Sequence, residues 1–306
     1  MPKLRNLLYG MAGVAKVMVL EKRFLDTDSW GFYFNEHIGD LILFSSLTNE
    51  LCLQRGGKRV ILFAPEKFSF VSSLFPSNRI TILNYVINRR TWHFLPTRLI
   101  PQPGKISPMH PYWLFGVAGW NGTTAIDLYI SYLNLDPKTS MERMRLPTEN
   151  EIGLAKKFME DNELPEGKTV LLYPLTYSLS SLPEEKDGWN TIISELISAG
   201  YTVAVNVPKF NVGQIKLDYK VKIVYPPLEL MRSIAILSGT VIARRSGIVD
   251  LLGALPIKMI VVYGCDPYMA AKSEFAFYSQ KLMRTSDMVI EVCGGDWWKY
   301  VLRNML

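Results

Sequence analysis

Three short segments carry the residues whose types and spacing could do chemistry. The first is Asn35-Glu36-His37-Ile38-Gly39-Asp40. It sets three proton acceptors, Glu36, His37 and Asp40, beside a glycine that permits a tight turn with positive φ. Asp40 falls where a helix should open. There it is either a base or an N-cap for the orphan N–H groups of the first turn. The second is Ala243-Arg244-Arg245-Ser246-Gly247, lying between a buried apolar run and a helical pattern. Backbone N–H groups at a helix start and the guanidinium fork both suit phosphate oxygens. A surface ion-pair turn is the simpler alternative. The third runs from Tyr173 to Trp189, reading YPLTYSLSSLPEEKDGW. Its Thr176, Ser178, Ser180, Ser181 and Lys186 could surround a phosphate, or they could form a solvated loop.

These segments need a frame, and the sequence supplies one by alternating buried apolar runs with helical patterns in both halves. The first half predicts strands over 30–35, 59–64 and 79–85, with helices over 41–54, 69–75 and 123–135. Residues 91–122 hold Trp92, Trp113, Trp120, His93 and His110 with little periodicity, and read as a binding loop or a loop-rich insertion. A polar stretch over 137–150 reads as a linker. The second half predicts strands over 169–173, 201–207, 221–225, 240–243, 258–263 and 288–292. Its helices fall over 151–162, 187–199, 227–237, 247–254 and 297–305. Such alternation implies parallel sheets with helices on both faces. Ligands then bind at the carboxyl ends of the strands, where all three segments fall.

Composition narrows the function. A chain of 306 residues predicts two domains, split as 1–145 and 146–306, and its 48% hydrophobic content supplies a core for each. A net charge of +6 favours acidic partners. The charge is not clustered and no nucleic-acid motif is present, so nucleic acid is set aside. Cys52, Cys265 and Cys293 lie far apart and only three histidines occur, so neither a disulfide framework nor a metal site is expected. A reducing, cytoplasmic setting follows. The apolar run 7–20 is interrupted by Lys16 and followed by Glu21, Lys22 and Arg23, which fits neither a membrane span nor a signal peptide. It predicts a helix that packs on the protein's own core or lies on an anionic membrane face. No Walker sequence and no G-x-G-x-x-G fingerprint is present, which argues against an ATPase or a nicotinamide enzyme.

In order and spacing these elements resemble the heptosyltransferase family of bacterial GT-B glycosyltransferases. The likeness is carried by G-D-L-I-L-F-S-S-L-T-N-E-L from Gly39, by R-V-I-L-F-A from Arg59, and by Y-P-L-T with the downstream K-D-G-W. It continues with Pro227-Leu228-Glu229-Leu230, leading through Ile236-Leu237-Ser238 to S-G-I-V-D-L-L-G-A-L-P. The resemblance implies an α/β fold of GT-B type, two Rossmann-like parallel-sheet domains facing a cleft. Residues 1–145 would serve the acceptor and 146–306 the nucleotide-sugar donor. It implies metal-independent transfer from a nucleoside-diphosphate sugar to a glycan or glycolipid, with no cofactor, and the expected chemistry is inverting. Asp40 would be the general base with His37 beside it. By the resemblance Lys186 would be a donor-phosphate ligand and Ser246-Gly247 the phosphate-facing helix start; the residue types add Thr176, Ser178, Glu229, Arg244 and Arg245 as further candidates to bind the donor. Where the family places Asp before its Ser/Thr-Gly and His three residues after the Gly, this chain has Arg245 and Asp250. Arg-Ser-Gly is also similar to some fucosyltransferase donor sites, so the resemblance does not imply a heptose. A GT-B-shaped sugar-nucleotide epimerase and a non-catalytic polysaccharide-assembly binding protein are the alternatives.

Overall fold

The computed structural model describes residues 2–34, 38–85, 91, 100–109, 124–174, 183–206, 221–263, 279–281, 283 and 288–306, with the side chains of 2–9 and 183–186 outside that description. The chain separates into two compact units, Met1–Arg145 and Leu146–Leu306.

The first unit is built on four parallel strands: β1 (Ser29–Tyr33), β2 (Arg59–Ala64), β3 (Ile80–Asn84) and β4 (Ile106–Pro108), in the order β3-β2-β1-β4. β1 is buried throughout and β2 at all but its first residue, as strands covered on both faces must be. β4 lies in the stretch whose lack of periodicity predicted irregular structure. Three residues ending in proline offer no alternation to read, and the proline confines them to a sheet edge. Helix α1 (Pro2–Phe24) packs on the sheet through Val17 and Leu20, which meet Tyr33, Ile61, Phe63 and Ile106. The one helix predicted over 41–54 is two, α2 (Ile38–Ser45) and α3 (Thr48–Arg55). Ser46 Oγ donates to the Leu43 carbonyl at 2.7 Å and Thr48 Oγ1 to that of Ser45 at 2.7 Å. These hydroxyls back-bond on the carbonyls of the preceding turn, and the axis breaks there. A 3-10 helix follows β2 at Glu66–Leu74. Helix α4 (Ala125–Tyr132) opens on a capping box of Thr124 and Asp127.

The second unit holds six parallel strands: β5 (Thr169–Tyr173), β6 (Thr202–Val205), β7 (Lys222–Ile223), β8 (Thr240–Arg244), β9 (Lys258–Tyr263) and β10 (Val289–Cys293). Their order is β10-β9-β8-β5-β6-β7. Counted within the unit this is the strand order of the doubly wound nucleotide-binding folds. Its helices are α5 (Glu149–Asp161), α6 (Pro183–Ser198), α7 (Met231–Ser238), α8 (Gly247–Leu252) and α9 (Trp297–Met305). The helix predicted over 227–237 divides into a 3-10 turn, Leu228–Leu230, and α7. On one face, Trp189 and Ile192 of α6 and Trp297 and Val301 of α9 pack on Leu172, Ile242 and Ile260. The Trp189 and Trp297 rings lie 4.8 Å apart. Helices approach this closely because Gly188 has no side chain: a Cβ there would stand 2.8 Å from the Trp297 ring. The architecture is therefore the expected α/β class, two all-parallel sheets covered by helices.

Two glycines should respond in opposite directions to the same substitution. Gly188→Ala overpacks the α6–α9 contact and should cost about 1–3 kcal/mol. Gly153→Ala, in α5 with nothing near its missing Cβ, should stabilise by roughly 0.5–1 kcal/mol. Thermal melts of the two variants check both; equal shifts would contradict the packing described here.

Candidate functional site

Each sheet reverses its strand order beside its first strand, between β1 and β4 in one unit and between β5 and β8 in the other. At such a reversal successive connections leave toward opposite faces, and a crevice opens at the carboxyl ends. The described candidate residues fall on the carboxyl side of their sheets, several of them beside these reversals.

In the first unit Asp40 follows β1. It is the third residue of α2, inside the first turn, so it is not the N-cap. The residue is 8% exposed, and its Oδ1 accepts a hydrogen bond from the Tyr129 hydroxyl at 3.3 Å. Tyr129 is buried in α4 and stands edge-on to Phe44, ring centroids 5.6 Å apart. One turn on, the Tyr132 hydroxyl donates to the Pro108 carbonyl at 2.6 Å. Helix α4 thus ties the carboxylate and the end of β4 together. A carboxylate held by a phenol keeps a fixed direction and can accept a proton from a bound hydroxyl. Sequence reading missed Tyr129, because 89 residues separate it from Asp40. His37 and Glu36 lie outside the described residues.

In the second unit the β8–α8 turn is organised by buried charge. Arg245 presents its fork to Asp250: Nη1 meets Oδ2 and Nη2 meets Oδ1, each at 2.9 Å, and Nη1 also donates to the Ser246 carbonyl at 2.5 Å. The two side chains are 7% and 1% exposed. A six-residue helix is too short to stand alone. Arg245 and Asp250 hold the start of α8 to its own first turns, and at the other end buried Arg232 of α7 donates to the Leu251 carbonyl at 2.8 Å.

The network continues outward. Gln280 Nε2 donates to Asp250 Oδ1 at 2.9 Å, and the Gln280 N–H donates to Glu291 Oε1 at 2.7 Å. Glu291 also accepts from the Tyr263 hydroxyl at 2.6 Å and from Ser279 Oγ at 2.7 Å. Burial raises the Tyr263 phenol well above its ordinary value. The ends of β9 and β10 are thereby joined to the β8–α8 turn.

This geometry changes the reading of Arg245. A guanidinium bound bidentately to a buried carboxylate cannot turn to a phosphate without breaking the pair, at a cost of about 3–5 kcal/mol. In this structure the fork is engaged within the turn, by Asp250 and the Ser246 carbonyl. Arg244 ends β8 opposite Val262 and is 3% exposed. Ser246 is extended, with φ −163°, and its hydroxyl makes no capping bond to α8; Gly247 is the first residue of that helix. Glu229 is exposed in the 3-10 turn that follows β7, also on the carboxyl side of the sheet. Lys186 lies in α6 with its side chain outside the description, and Thr176 and Ser178 lie outside the described residues. Among the described residues no group of three histidine, cysteine or carboxylate side chains gathers as a metal site would.

No protein-family model matches the chain, and no curated protein sequence matches it. Solved structures do. A glycosyl transferase family 9 protein from Veillonella parvula DSM 2008 superposes with a TM-score of 0.60 at 14% identity, over 92% of each chain. The E. coli ADP-heptose lps heptosyltransferase II gives 0.60 at 12% identity, covering 90% of this chain and 97% of its own. The E. coli heptosyltransferase WaaC, solved with ADP, gives 0.52 at 14% identity, covering 90% and 98%. Identities so low speak to fold and not to activity: the chain has the fold of the heptosyltransferases and family 9 glycosyltransferases.

Proposed function

We propose that the chain is a glycosyltransferase that moves a sugar from a nucleoside-diphosphate donor to a glycan or glycolipid. The observation that carries the reading is the placement of its chemistry-bearing residues. An oriented, nearly buried carboxylate and a rigidly held turn stand at the strand-order reversals of two sheets whose fold is shared with glycosyltransferases. The names of two of those structures include ADP-heptose and ADP, which favours a nucleotide-linked donor here.

The reaction is inverting. The acceptor hydroxyl oxygen attacks the anomeric carbon, the bond from that carbon to the diphosphate oxygen breaks, and the diphosphate leaves with the electron pair. Asp40 takes the hydroxyl proton, a task typically worth 10²–10⁴-fold. No step calls on a metal or a cofactor. Charge growing on the diphosphate needs donors already in place. Arg244, Lys186, the Thr176 and Ser178 hydroxyls and the backbone N–H groups of Ser246 and Gly247 supply them. Arg245 is neutralised by Asp250, so its contribution is to position that turn. Glu229 suits the ribose hydroxyls, which a carboxylate accepts well. His37, near Asp40 in sequence, assists the proton transfer. A lipid-borne acceptor would be met at the cytoplasmic membrane face, which the net charge of +6 favours.

Asp40→Asn should lower transfer by about 10²–10⁴-fold, while calorimetry shows unchanged affinity for the nucleoside diphosphate. Normal turnover in that variant would remove Asp40 from the mechanism. Tyr129→Phe removes a buried hydrogen bond to a charged group, so it should cost roughly 1.5–3 kcal/mol of stability and lower kcat; an unchanged melt with unchanged kcat would show that the bond does not matter. Arg245→Lys keeps the charge but cannot span both oxygens of Asp250. Diphosphate affinity should fall with it; undiminished affinity would show that the turn does not need the fork. Incubation with donor alone separates the epimerase alternative, since only an epimerase converts the donor without an acceptor.

A further inference from the structure

Helix α1 has two faces of different character. The inner one is seated on the sheet. Val17 and Leu20 are buried in its core, and a Cβ on Gly13 would fall 1.9 Å from Thr91 Oγ1, so the backbone itself is pressed against that residue. Helical spacing turns Met11, Met18 and Val19 to the other side, at 57%, 58% and 62% exposure. Lys22 shares that side, and Arg23 and Lys16, exposed as well, flank it. Scattered surface apolar residues need no explanation, but three large ones on one helix face, rimmed by charge, mark a surface that meets something.

The charge on this face is of one sign. The one acid of α1, Glu21, is turned inward, where it accepts from the Ile106 N–H at 2.9 Å and faces Lys105 at 3.8 Å. The first acids beyond the helix, Asp26 and Asp28, are paired with Arg59 and Lys58. The cations extend along the surface, Lys16 over the Tyr85 ring and Arg23 over Phe24. A second copy of the same face would set cations against cations, which disfavours a symmetric dimer. Apolar side chains with cations beside them and no acid fit an anionic bilayer: the first enter beneath the headgroups and the second stay at phosphate level. Among the described residues no helix is long and apolar enough to cross a membrane, so the contact lies along the surface.

We propose that the outer face of α1 docks the protein on an anionic lipid bilayer, with Met11, Met18 and Val19 inserted and Lys16, Lys22 and Arg23 on the phosphates. The surface goes beyond the glycosyltransferase reading, and the binding it describes needs neither donor nor acceptor.

Co-sedimentation of the full chain with vesicles tests it, using phosphatidylcholine alone and phosphatidylcholine with roughly one-third phosphatidylglycerol. The protein should pellet with the anionic vesicles and not with the neutral ones. Binding should fall as salt rises from about 0.1 to about 1 M, where the screening length shrinks from about 10 to about 3 Å. Each cation contributes roughly fivefold, so Lys22→Glu with Arg23→Glu should weaken binding at least about 25-fold. Met18→Ser with Val19→Ser should weaken it more than about tenfold. All four positions are exposed, so melts should not change; where a double variant melts lower, Val19→Asp alone serves. Transfer to a water-soluble acceptor should be unaffected in every variant, so loss of vesicle binding and loss of activity are read separately. Equal binding to neutral vesicles, no binding to either, or undiminished binding by the variants would overturn the proposal. So would a concentration-dependent dimer abolished by Met18→Ser in a protein that ignores vesicles.

Discussion

The candidate donor side of this protein depends on one buried ion pair. Arg245 and Asp250 are both nearly inaccessible to water, and a charge in that position is tolerable only if it is matched. The match is made with two parallel hydrogen bonds and a third to the Ser246 carbonyl. Removing either partner strands the other, so the pair specifies the path of the chain between β8 and α8 more sharply than apolar packing would. The short helix that follows has little stability of its own. It borrows order from that pair at one end and from Arg232 at the other. Gln280 and Glu291 extend the constraint across β9 and β10, so the carboxyl edge of this half-sheet behaves as one hydrogen-bonded unit.

The two units solve the same positioning problem with different chemistry. Both begin with a central strand, and both change strand order beside it. In the first unit the Tyr129 phenol from α4 donates to Asp40 and fixes its direction. In the second a bidentate pair with Asp250 fixes Arg245.

Much of the fold could be read in advance because buried parallel strands are apolar runs with little else to be. R-V-I-L-F-A and T-V-L-L-Y became β2 and β5 with almost no shift of boundary. Elements set by side-chain hydroxyls or by tertiary pairing were not legible. The break between α2 and α3 rests on Ser46 and Thr48 bonding to carbonyls, and β4 exists because β1 offers it an edge. The same limit applies to the site. The residue types at 35–40 and 243–247 pointed to chemistry, and the strand order sets Asp40 and the 243–247 turn beside the reversals. Spacing could not show that Arg245 turns inward, since its partner's role depends on a rotamer. Nor could it show that Tyr129, far along the chain, reaches Asp40. The carboxylate at position 250 was visible, but only the fold makes it a counter-ion.

In the proposed function the Arg245–Asp250 pair holds a turn that receives a nucleoside diphosphate. Hydrogen–deuterium exchange of the full chain, free and saturated with the diphosphate, tests it most directly. Exchange should slow on ligand binding at the amides of 246–248, which lead from the turn into α8. Saturation confirmed by calorimetry with those amides unchanged, and protection confined to other segments, would contradict it.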